Sequence, residues 1–194
     1  MRAASVGEGA GTSLAGIIAA GPELVGALRR LADLGLPDAW IGAGALRNPA
    51  WDALSGFAPG TNPPGDIDVV WFDPARADAE ADAAIEAHLR ALAPGLPWSV
   101  RNQARMAARN GDAPYASTTD AIAHWPETAT AIAARWTPAG LELAAPHGTA
   151  DLLGLILRPT SPAKAAVLAA RAVAKGWTRR WPRLTMAPTN RSHP

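Results

Sequence analysis

Apolar residues recur along this chain in two rhythms, and the alternation between them outlines a fold. From Pro22 to Leu34, Leu24, Val25, Leu28 and Leu31 fall at helical spacing with Arg29 and Arg30 free to face water, and Gly35 stops the helix. A short apolar run, Ala39-Trp40-Ile41, ends in Gly42-Ala43-Gly44, after which Ala45 to Leu54 resumes helical character over Trp51 and Leu54. Residues 55–65 carry Gly56, Pro59, Gly60, Pro63 and Pro64, a composition that predicts a surface loop. The loop delivers Ile67, Val69, Val70, Trp71 and Phe72, a near-continuous apolar run that predicts a strand buried on both faces, with Asp66, Asp68 and Asp73 confined to its ends.

Further on, Ala77 to Leu92 reads as an amphipathic helix with acids in its first turns, where the helix dipole favours them, and Ala93-Pro94-Gly95 ends it. Trp98 to Gln103 is the next strand. Thr118 or Thr119 caps a helix through Ala123, Pro126 interrupts it, and Thr128 to Trp136 is expected to restart it. Leu141 to Ala145 predicts a further strand, and Ser161-Pro162 opens a last helix that runs to Lys175 before Gly176. Helices alternating with three or four short strands imply an α+β (mixed α/β) domain. Its expected extent is residues 22–183, between an N-terminal segment, 1–21, read as partly flexible, and a tail at 184–194.

Composition narrows the chemistry. With 194 residues, 48% of them apolar, the chain builds one core comfortably and two poorly. It has no cysteine, so disulfides, thiolate metal sites and a cysteine nucleophile are excluded, and a cytoplasmic address is expected. The start, from Met1-Arg2 through Glu8, lacks a signal peptide's apolar stretch, and no eighteen apolar residues run together, so a soluble protein with no membrane partner is expected. The net charge of +1 hides a polarity: acids crowd between Asp66 and Glu86, whereas beyond Asp151 only cations occur, from Arg158 to Arg191. Such a basic end suits phosphates, with nucleic acid as an alternative partner, or else it is a solvated helix and tail, the commoner case.

Side chains two apart in a strand share a face, so Asp66 and Asp68 bring two carboxylates to one point. Two like charges there call for a cation, and hard oxygen ligands suit Mg²⁺, which takes one or two protein carboxylates and completes its shell with water and substrate phosphates. A nucleoside triphosphate supplies those phosphates. One helix and one loop earlier, the turn Ile41-Gly42-Ala43-Gly44-Ala45 presents backbone N–H groups at a helix N-terminus, a natural cradle for an anion. Arg47 and Asn48 begin the helix after this turn, where they would contact a triphosphate or, equally, cap the helix and pair at its surface. A dinucleotide-binding reading of Gly42-x-Gly44 fails because Arg47 stands where a third glycine belongs and a proline-rich loop replaces the crossover. The four histidines, His88, His124, His147 and His193, have no metal-ligand spacing, and Trp40, Trp51, Trp71 and Trp98 fall at apolar positions expected in the core.

With these motifs in place the chain resembles the nucleotidyltransferase superfamily that includes polymerase beta, nucleotide-adding enzymes and antibiotic adenylyltransferases, and more closely a bacterial group of nucleotidyltransferase-like proteins. The segments that carry the resemblance are residues 40–48, 66–73, Asn102-Gln103-Ala104-Arg105-Met106, Trp125-Pro126-Glu127-Thr128-Ala129-Thr130, and Ala145-Pro146-His147-Gly148 with Asp151-Leu152-Leu153. The resemblance implies a polymerase beta-like fold, a short mixed sheet flanked by helices, and transfer of a nucleotidyl group from a nucleoside triphosphate to an unknown acceptor. By that likeness Asp66 and Asp68 hold Mg²⁺, and Gly42, Gly44, Ala45, Arg47 and Asn48 hold the nucleotide. Superfamily members normally add a third carboxylate on a neighbouring strand, for which Glu142 is the first candidate, while Asn102 would meet a phosphate or base. The glycine signature departs from the usual Gly-Gly or Gly-Ser, and the loop before Asp66 is long. A non-catalytic nucleotide-binding or protein-interaction module on the same fold is the alternative.

Overall fold

The computed structural model describes residues 13–188. Its elements are α1 (Leu14–Ala19), α2 (Pro22–Asp33), β1 (Trp40–Gly42), α3 (Gly44–Ser55), β2 (Ile67–Trp71), α4 (Ala79–Leu92), β3 (Trp98–Asn102), α5 (Met106–Asn110) and α6 (Thr118–Ala123). There follow β4 (Ala133–Thr137), β5 (Gly140–Ala144), α7 (Ala150–Leu153), β6 (Ile156–Leu157), α8 (Ala165–Ala174), α9 (Trp177–Arg180) and β7 (Thr185–Met186). Five strands form one mixed sheet in the order β3-β2-β1-β4-β5, parallel only between β2 and β3, and β6 pairs with β7 separately.

The sheet has two unlike faces. Alternation sends Ile41, Ile67, Val69, Trp71, Trp98, Val100 and Ala134 backward into the main core, where Leu28 and Leu31 of α2, Leu46 and Trp51 of α3 and Leu89 of α4 meet them. Only a small cluster covers the front: Trp40, Val70, Ala133 and Ala144 from the sheet, closed by Ile122 and Trp125. Among the described residues no helix is long and apolar enough to cross a membrane.

One expectation is corrected here. Thr128 to Trp136, read as a restarted helix, has no helix in it: a turn at 128–130 leads into the strand β4, which pairs Ala134 with Ile41 and Ala133 with Gly42. Alanine's helical preference is worth only tenths of a kcal/mol per residue and yields to tertiary need; Ala133 turns to the front cluster and Ala134 to the main core, and small side chains suit a strand packed on both faces. Leu14, Ile18 and Leu184 are buried, and β7 pairs with β6. What was expected of residues 1–12, Arg191 and His193 lies outside the described residues. The last helix begins as a 3₁₀ turn, Pro162–Lys164, and Ser161 makes no side-chain cap.

Candidate functional site

β1, the turn after it and β2 build the site. Register places Gly42 opposite Asp68, and on the other side of Asp68 stands Ser99 of β3. Asp68 therefore projects from the front of the sheet, half-buried, with Asp66 exposed just before the strand. Neither carboxylate makes an ion pair or a side-chain hydrogen bond with another described residue. Burial first, and the Asp66 carboxylate next, push the Asp68 carboxyl up to about 6, while Lys175, Arg47 and Arg101 pull it back.

The turn is bent to meet this pair. Ala43 sits at φ 53°, ψ −124°, a conformation that glycine adopts freely and alanine rarely, and its N–H is held by the carbonyl of Ile132. The first two helical residues, Gly44 and Ala45, have no intrahelical acceptor for their N–H groups. A Cβ on Gly42 would lie 3.0 Å from the Trp125 ring and 3.1 Å from the Ile132 carbonyl, so any larger residue would have to push one of them aside. Gly44 is buried beside Pro64, whose Cβ lies 3.5 Å from where a side chain on Gly44 would start. The proline loop thus lies alongside the turn.

Arg47 and Asn48 are engaged elsewhere. The Arg47 guanidinium, 4% exposed, donates to Thr130 Oγ1 at 3.0 Å and to Asn48 Oδ1 at 2.9 Å, and stacks over Trp51 and Trp177. Burial pulls its pKa down to about 10, against the opposing field of Glu127, so it stays charged at neutral pH. Asn48 spends its amide on the carbonyl of Asn62 at 3.1 Å. Both residues brace the turn from behind rather than present themselves to a ligand. Asn102 is likewise saturated: its amide bonds the carbonyls of Asp73 and Arg76, and its Oδ1 accepts from the N–H groups of Asp73 and Ala104.

Glu142 does not reach the pair. It lies on the edge strand β5, three strands from β2 and so about 14 Å away at ~4.8 Å per strand, and its carboxylate accepts both arms of Arg135 at 2.8 and 3.0 Å. Strand spacing in the sequence could not reveal this, because order in the sheet is decided by the crossovers. Among the described residues no three histidine or carboxylate side chains cluster as a metal site.

The basic C-terminal stretch is largely tied down instead of forming a free cationic face. Arg171 pairs with fully buried Glu127, Arg158 with Asp151, and Arg180 bonds Asn62 Oδ1 and the Pro63 carbonyl. Trp181 donates to Asp52, which also holds the backbone and side-chain N–H groups of Asn62. α9 is thereby strapped to the loop that leads to Asp66, and α8 to Glu127. Glu127 follows a proline at a break in the helical pattern, which gave no sign of its burial. Lys175, exposed at the end of α8, is a cation near Asp68 that no sequence motif singled out.

The sequence model of a family described as nucleotidyltransferase matches residues 29–186. A solved NMR structure described as a CCA-adding enzyme head domain is 32% identical, with a TM-score of 0.77 over 90% of this chain and 95% of that one. The Bacillus stearothermophilus CCA-adding enzyme in complex with CTP is 19% identical, with a TM-score of 0.51 over 86% of this chain, and a CCA-adding enzyme in complex with ATP is 15% identical, at 0.55 over 89%. At that identity the last two show the fold alone, and this chain spans about 40% of their length. No curated protein matches the chain.

Proposed function

The chain belongs to this nucleotidyltransferase family, and on that premise we propose that it transfers a nucleotidyl group from a nucleoside triphosphate to an acceptor, with Asp66 and Asp68 as ligands of Mg²⁺. The observation that carries the reading is the unpartnered carboxylate pair: half-buried Asp68 and neighbouring Asp66 repel one another, and no cation among the described residues pairs with them in direct contact. Such a pair fits a hard divalent ion that draws its remaining ligands from water and phosphate oxygens. When bound, the metal would neutralise charge developing on the phosphoryl oxygens.

The chain's own residues then have separable tasks. The N–H groups at the start of α3, near Gly44 and Ala45, receive the triphosphate, assisted by the positive end of the helix dipole. Gly42 lets the front of the turn pack closely on its neighbours, and Ala43 holds the bend. Arg47 and Asn48 act through the turn and the proline loop. The similar structures are described as a CCA-adding enzyme head domain and as CCA-adding enzymes with CTP or ATP, which makes those two nucleotides the first to test.

Calorimetric titration of ATP, GTP, CTP and UTP with and without Mg²⁺ tests the proposal. Magnesium-dependent binding to the native protein, lost in the folded Asp66→Asn, Asp68→Asn double variant and unchanged in Glu142→Gln, is the expected result; binding retained by the double variant sinks it. The lack of a third carboxylate among the described residues favours one second reading, a nucleotide-binding module without turnover. Steady release of pyrophosphate by the purified protein would eliminate that alternative.

A further inference from the structure

Of the chain's eight tryptophans, six are buried. Trp136 is half-exposed on the back of the sheet, where Arg29 lies 4.5 Å over its ring. Trp125 is the other half-exposed one, and it lies on the front. We propose that Trp125 is the stacking platform for the base of the nucleotide whose phosphates meet the Gly42–Ala45 turn and the Asp66, Asp68 pair. This rests on the nucleotidyltransfer reading and extends it from the phosphates to the base.

Position is the first argument. The six-membered ring of Trp125 stands 3.0 Å from where a Cβ on Gly42 would be, and Gly42 is the direct cross-strand partner of Asp68. Partners across an antiparallel pair have Cβ positions about 5 Å apart, so the ring edge is within about 8 Å of the Asp68 Cβ, on the same face of the sheet. The indole packs against the cluster of Trp40, Val70, Ile122, Ala133 and Ala144 and stays partly exposed.

Preorganisation is the second. Residue 125 is held from both directions: its N–H donates to the Ile122 carbonyl at 3.1 Å, its own carbonyl accepts from Thr160 Oγ1, and the next carbonyl, of Pro126, accepts from the Thr160 N–H at 3.1 Å. Pro126 and buried Glu127 follow at once. An aromatic ring fixed in this way loses little freedom when a base settles on it. A π-face also receives any base, so this platform raises affinity without choosing among nucleotides. Gly42 then has two duties, admitting phosphate to the turn and admitting the ring to Gly42's own strand.

The test separates base from phosphate. ATP, CTP and inorganic tripolyphosphate, each with Mg²⁺, are titrated into the native protein, Trp125→Phe and Trp125→Leu; leucine keeps an apolar filler over the front cluster but has no π-face. The native protein should bind both nucleotides more tightly than tripolyphosphate. Trp125→Leu should weaken ATP and CTP about tenfold with tripolyphosphate unchanged, and Trp125→Phe should keep most of the margin. Equal weakening of all three probes by Trp125→Leu, or none, overturns the platform while leaving the phosphate site standing. If the native protein binds none of the probes, the nucleotidyltransfer reading fails and the platform falls with it.

Discussion

On the front of the sheet Asp66 and Asp68 have no hydrogen-bond or ion-pair partner among the described residues; elsewhere Asp52 and Asp82 are held by several donors each, and Glu127 is paired through one of its oxygens. Asp52 accepts from Asn62 and Trp181, Asp82 from Trp71, the Asn102 N–H and Arg105, and Glu127 from Arg171. All five carry the same carboxylate group. A carboxylate enclosed by donors has its charge spent on holding elements together, whereas a half-buried one beside a like charge retains an unmet demand for a cation. The difference separates the framework of this protein from its proposed chemistry more sharply than burial does, since Asp68 is itself largely covered.

The comparison can be broken most forcefully from the framework side. Glu127→Ala leaves Arg171 and Arg47 without their counter-charge in a buried setting, and denaturant unfolding should show a loss of about 3–5 kcal/mol; a loss below about 1 kcal/mol would mean that the cluster is not a structural anchor. On the site side the sign reverses. The Asp68 carboxyl titrates near 6 in the folded protein against 3.8 for the unfolded reference, so the folded state binds the proton more tightly, and ionising Asp68 destabilises the fold. Without Mg²⁺, the contribution of Asp68 to stability should therefore improve as pH falls from about 6 towards 4. The Asp68→Asn protein should lack that component, so its stability advantage over the native protein shrinks across this window; parallel curves for the two proteins would refute the assignment. The smallest effect is local: Ala43→Gly relieves the positive φ and should stabilise the fold by about 1 kcal/mol, read as a raised thermal midpoint.

Much of the fold was legible because it depends on short-range pattern. The helix from Pro22, the strand at Ile67–Trp71 and the proline loop before it follow from spacing and turn chemistry, and the structure places them within a residue or two of expectation. The carboxylate pair was proposed on local spacing alone; in the structure Asp68 lies in β2 and Asp66 just before it. Residues 128–136 were misread because their alanines favour a helix only weakly, while β4 is fixed in the sheet by β1, some ninety residues away at Ile41 and Gly42, as well as by the adjacent β5. Glu142 was placed near the site by its apolar strand, but a strand's neighbours are not written in its own residues. Glu127 and Arg47 carry no local mark of burial, because what surrounds them arrives from α8 and α9.

The sequence by itself determined the alternation of helices and strands, the glycine turn at a helix start and the two aspartates that share a face, all set by backbone geometry over a few residues. Only the tertiary structure decided which charges are spent. It seated Arg47 between Trp51 and Trp177, closed Glu127 over Arg171, sent Glu142 to the far edge with Arg135, and left Trp125 beside Gly42 and Asp68. A side chain's charge is fixed by its chemistry, but whether a partner answers it depends on groups brought from distant parts of the chain.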